Sequence, residues 1–115
     1  MSTIADNIRN FRILRGFSQR TLADQLHKSP NTIANWEKGI NSPDVEILDS
    51  MCKVLEITPN VLYGWEKSPE LDEFLKLQKL NMEKMDLLIK QRSELDERIK
   101  EYAARIANAR NNTNN

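Results

Sequence analysis

The sequence predicts an all-α protein, with five short helices over residues 1–66 and one long helix after them. Three observations predict it. Ser18 to Gly39 reads as two short helices joined by a tight turn. Prolines and glycines fall where helices start and stop, not inside them. From Met85 onward, apolar residues step by three and four, a helical spacing and not the alternation of a strand.

Thr3 can cap a first helix running to about Arg15, with Ile4, Ile8, Phe11 and Leu14 or Arg15 as its apolar stripe and Gly16 as its stop. Ser18 caps the second helix, whose apolar face is Leu22, Ala23 and Leu26. Ala23 falls where the second and third helices come closest, so a larger side chain there would push them apart. The turn is His27-Lys28-Ser29. Ser29 then caps the third helix and Pro30 takes its first position, where a missing N–H costs nothing. Ile33 and Trp36 fall three apart and face inward, while Asn31, Thr32, Ala34 and Asn35 lie on the other faces. Gly39 ends the helix in a left-handed position. Two helices so joined, with small polar residues outward on the second, have the layout of a helix-turn-helix.

Ile40-Asn41-Ser42-Pro43 is a loop, and Asp44 caps a fourth helix to about Leu55. Its inward face is read as Val45, Leu48, Met51, Cys52 and Leu55, with Cys52 as a small core hydrophobe. Thr58 and Pro59 open a short fifth helix holding Val61, Leu62 and Tyr63, and Gly64 stops it. Trp65 is expected to fold back on the domain or to meet a second subunit. Residues 67–69 form a linker in which Ser68 caps the next helix. That helix is expected over 70–108, since no Gly or Pro interrupts it. At 1.5 Å per residue its length is roughly 60 Å.

Met85, Leu88, Arg92, Leu95, Ile99, Tyr102, Ile106 and Ala109 form a heptad seam, the pattern of a coiled coil. Carried backwards, the seam meets Asn81, Gln78, Phe74 and Leu71. Leu71, Phe74, Met85, Leu88, Leu95, Ile99, Tyr102 and Ile106 are therefore the expected oligomerisation residues. The competing reading is one amphipathic helix folded against its own domain, but a helix this long outruns a domain of that size. Residues 109–115, mostly Asn, are expected to be a disordered tail.

The stretch over residues 4–65 resembles the DNA-binding domain of lambda-repressor-like (Cro/C1, Xre-type) regulators. The Ser-Gln opening of that family matches Ser18-Gln19, and its Leu-Ala pair matches Leu22-Ala23. Its Ile-x-x-Trp-Glu-x-Gly close matches Ile33, Trp36, Glu37 and Gly39. Two positions depart: His27 stands where the family commonly has Gly in the turn, and Lys28 where the next residue is commonly apolar. His tolerates positive φ better than most residues. The resemblance implies that Pro30, Asn31, Ala34 and Asn35 face base edges. Asn can bond N6 and N7 of adenine, and Pro and Ala can touch a thymine methyl. It implies phosphate contacts for Gln19, Thr32, Lys38 and Asn41. It also implies an ion pair between Arg12 and Glu37, tying the first helix to the end of the third.

Over all 115 residues, acidic and basic side chains balance at seventeen each. Their distribution is uneven. Residues 1–38 hold six basic against three acidic side chains, and residues 39–66 hold one against five. One end is basic and the other acidic, which suits DNA on one side only. With one His and one Cys, a His/Cys metal site and a disulfide framework are excluded, and no cofactor is expected. A Ser-His-Asp triad could use only His27, and three scattered glycines make no phosphate loop. The chain is not read as an enzyme. With no apolar run beyond three residues, no membrane span is expected, and a cytoplasmic location fits.

The expected function is sequence-specific transcriptional regulation. The reading is a repressor binding a palindromic operator in double-stranded DNA, as a dimer or higher oligomer. An antirepressor or another protein is the further partner it admits. The runner-up is an antitoxin-like interaction module whose C-terminal helix carries the main activity.

Overall fold

Six stretches have the capping and periodicity of helices, and six helices form. In the computed structural model, which describes residues 3–113, these are α1 (Ile4–Leu14), α2 (Gln19–Gln25), α3 (Pro30–Glu37), α4 (Val45–Leu55), α5 (Pro59–Leu62) and α6 (Pro69–Thr113). There is no strand among the described residues.

Each start is a side-chain cap. Thr3 accepts from the Asp6 N–H at 3.1 Å, Ser18 from Thr21 at 3.0 Å, and Ser29 from Thr32 at 3.2 Å. Asp44 accepts from Ile47 at 2.9 Å, Thr58 from Val61 at 3.3 Å, and Ser68 from Leu71 at 3.2 Å. Each cap satisfies one of the N–H groups that the first turn leaves without a partner. The stops are left-handed residues. Gly39 has φ +74°, and a Cβ there would meet nothing within 4 Å, so backbone conformation rather than space requires glycine. His27, in the turn, has φ 55°. Glu56 ends α4 with φ 58°, a left-handed stop without glycine.

The chain divides into two compact units, Met1–Phe74 and Leu75–Asn115. The core of the first gathers Ile8 and Phe11 of α1, Leu22 and Ala23 of α2, Ile33 and Trp36 of α3, Met51, Cys52 and Leu55 of α4, and Leu62 of α5. Leu71 of α6 is also buried in it, and Phe74 packs against it. Two polar side chains close the frame. Asn7, buried, donates from Nδ2 to the Leu62 carbonyl at 2.9 Å. Arg15 donates from Nε to the Leu55 carbonyl at 2.7 Å, at the end of α4, and meets Glu70 of α6 at 2.7 Å.

Four expectations need correction. Val45 is 79% exposed; it is the first residue of α4 and points away from the core, where Ile47 and Val54 pack at the edge instead. Of the two placements expected for Trp65, folding back on the domain goes no further than a stack on Tyr63, with ring centroids 4.8 Å apart, and leaves the side chain 76% exposed. α6 does not end near Asn108 but runs to Thr113, whose hydroxyl donates back to the Ala109 and Arg110 carbonyls. Nothing between 109 and 113 breaks a helix, since Asn and Thr are only mediocre helix formers; the rest of the expected tail, Asn114 and Asn115, lies outside the described residues. Finally, Leu71, expected at an oligomer seam, is buried in the core of the first unit, and Phe74, expected there too, packs against that core. The second unit is helical throughout its described length, and its large apolar residues are exposed in the single chain.

Candidate DNA-binding interface

α3 packs on α2 and α1. Ile33 and Trp36 turn inward and are buried, in line with their spacing. The remaining faces of α3 are presented outward by default. Pro30 and Asn31 are exposed, and Ala34 and Asn35 are half-buried. Asn31 and Asn35 are four apart, so they share a face; Pro30 and Ala34 share the adjacent one. The four residues expected to read bases therefore form one continuous strip of α3.

The expected phosphate contacts surround that strip. Gln19 opens α2 and is half-buried. Lys38 is the exposed C-cap of α3, and Asn41 is exposed in the loop after Gly39. Thr32 is half-buried, and its hydroxyl lies 2.8 Å from that of Ser29, so one of its hydrogen-bonding directions is already used. Arg20 and Lys28, two of the basic residues of the N-terminal stretch, are exposed near the two ends of α2.

The strip is held from behind. Arg12 of α1 donates from Nε to Glu37 Oε2 at 3.0 Å and from Nη2 to Oε1 at 2.8 Å, a bidentate pair. Its Nη1 donates to the Phe17 carbonyl at 2.9 Å. The two side chains are only 11% and 5% exposed. Glu37 is the last residue of α3, so the pair anchors the C-terminal end of that helix. His27 and the bond from the Lys28 N–H to the Ala23 carbonyl at 2.9 Å set the entry to α3 at its other end.

Cys52 is buried, and its thiol is pushed above its ordinary value by burial first and the charge of Asp49 second. The thiol is therefore protonated and inert at neutral pH. Among the described residues there is no His/Cys/Asp/Glu cluster able to hold a metal. No helix there is long and apolar enough to cross a membrane.

Comparison with known proteins accords with this geometry. Residues 8–62 match the profile of a family described as helix-turn-helix. The chain is 31% identical over 111 residues to the HTH-type transcriptional regulator DicA of Escherichia coli (strain K12), spanning 92% of this chain and 82% of that protein. The P22 c2 repressor, solved in complex with synthetic operator 9T, is 26% identical with a TM-score of 0.52, over 54% of this chain and 94% of that one. A transcriptional regulator from Listeria innocua has the same fold at 22% identity and a TM-score of 0.52, over 77% of this chain and 91% of that one.

Proposed function

Since the chain belongs to the helix-turn-helix family of lambda-repressor-like regulators and is a DNA-binding transcriptional regulator, not an enzyme, we propose that it is a repressor acting in the cytoplasm on a palindromic operator. The observation that carries the proposal is the strip Pro30, Asn31, Ala34 and Asn35. It lies outward on α3, with the inward face of the helix buried and its end fixed by Glu37. Such a helix suits the major groove. Asn31 and Asn35 read adenine, and Gln19, Thr32, Lys38 and Asn41 hold phosphates on either side. That a repressor among the similar structures is bound to operator DNA supports the choice of partner.

Binding is by two copies, so that two recognition strips meet two half-sites about 34 Å apart or a multiple of that. The second copy is recruited by α6, through the seam Met85, Leu88, Leu95, Ile99, Tyr102 and Ile106, all exposed in the single chain.

Selection of bound fragments from random duplex DNA, at two salt concentrations, tests the proposal. The expected result is a palindromic motif that survives the higher salt, with its half-site spacing readable from the enriched sequences. Motif-free binding that vanishes with salt would be phosphate attraction alone and would refute it.

A further inference from the structure

The second unit changes character along its length. Between Leu75 and Ile89 the charged side chains are Lys76, Lys79, Glu83, Lys84 and Asp86. With Met85 at heptad position a and Leu88 at d, four of these five fall at b and f. Every other position is apolar or a side-chain amide. Leu75, Met82 and Ile89 take e, and Leu80 and Leu87 take c; all five are exposed. Positions c, g, d, a and e cover about 200° of the helix circumference at 3.6 residues per turn. Beyond Arg92 the pattern narrows. Glu94, Asp96, Arg98 and Glu101 put charge at c, e and g, and only a and d stay largely apolar.

A two-stranded coil uses a and d with the e and g edges, and leaves c in water. It serves the second half of the helix and leaves Leu80 and Leu87 of the first half stranded, with apolar e positions on the other flank. A pair of such helices would carry apolar flanks outside its own seam, the kind of patch that marks an interaction surface.

We infer that the Leu75–Ile89 segments of four copies of this chain form a four-helix bundle that joins two pairs into a tetramer. The inference rests on the paired-seam reading above. The occupant is another copy of this chain because, on that reading, the exposed a and d seam just beyond Arg92 brings two identical helices together. The two-fold symmetry of that pair repeats the same apolar flank on both sides, so a second pair is the natural complement. Gln78 at a and Asn81 at d point the same way. A side-chain amide both donates and accepts, and in a symmetric bundle each can meet its own copy. A tetramer carries four DNA-binding units and can hold two operators at once.

Sedimentation equilibrium of the full chain tests this. The wild type is expected at the mass of four chains. Leu80→Glu with Leu87→Glu is expected at two chains, with the far-UV helix signal unchanged, because c positions are indifferent to a two-stranded coil. If the signal falls, Leu80→Gln with Leu87→Gln is measured in its place and judged by the same masses. A wild-type mass of two chains, or a variant still at four, overturns the bundle and leaves the paired seam standing. A wild-type mass of one chain overturns both.

Discussion

Arg12 and Glu37 are nearly buried, so removing one strands the other. Glu37→Ala should destabilise the domain by about 3–5 kcal/mol in urea unfolding, the usual result of leaving a buried charge unpartnered. Replacing both by apolar residues of similar size should cost much less, and equal losses would mean the pairing is incidental. Asn31→Ala has a different signature. It should cost roughly 1–3 kcal/mol at the selected operator and little on unrelated DNA, by competition binding. Cys52 titrates above the ordinary thiol range in the folded chain, so the fold favours its neutral form. The stability this supplies is complete at neutral pH and is lost as pH rises through and beyond that range. At pH 8, iodoacetamide should alkylate it slowly in the native protein and rapidly in urea; equal rates would argue against a core position. The partnership of Arg12 with Glu37 was legible only through family resemblance, because nothing local in the sequence joins them. Asn7 and Arg15 were not legible at all as polar fasteners. Each answers to a carbonyl at the end of a helix far along the chain, and an Asn or Arg on α1 looks the same whether it faces water or such a carbonyl.

At the scale of elements, the starts were readable because a cap is a local event. A Ser, Thr or Asp before a helical run bonds an N–H three residues on, whatever the rest of the fold does. The stop at Glu56 falls where the apolar periodicity ends at Leu55, but its left-handed conformation was not readable, since neither glycine nor asparagine marks it. Nor was the fate of Val45 and Trp65, because an apolar residue at the edge of an element has no periodicity to place it. Ser68 and Pro69 do open α6, but Leu71 belongs to the core of the first unit. A chain ending at Pro69 should therefore be less stable in urea than one ending at Phe74, by about 2–5 kcal/mol, the usual range for losing a buried leucine side chain. Equal midpoints would show that Leu71 contributes nothing there.

At the scale of the whole molecule, the fold class and order of helices followed from patterning. The outward face of α3 followed from spacing, and the base-reading role proposed for it rests on resemblance. The uneven charge makes a prediction of its own. Operator affinity should fall steeply with salt, and Lys38→Ala should lower the slope of log affinity against log salt by about one per DNA-bound copy. An unchanged slope would remove Lys38 from the phosphate contacts. The burial of Leu71 reaches further than stability. The first turns of α6 are shared property: the DNA-binding unit needs them to close its core, while the residues after them answer to other demands. A chimera that gives this domain a foreign tail should carry its own sequence through Phe74 and change partners only after it. Spliced at Pro69 instead, the graft would bring in a stranger's residue where Leu71 seals the domain. The workable joint between the DNA-binding unit and the rest of the chain thus lies inside a helix, not in a loop.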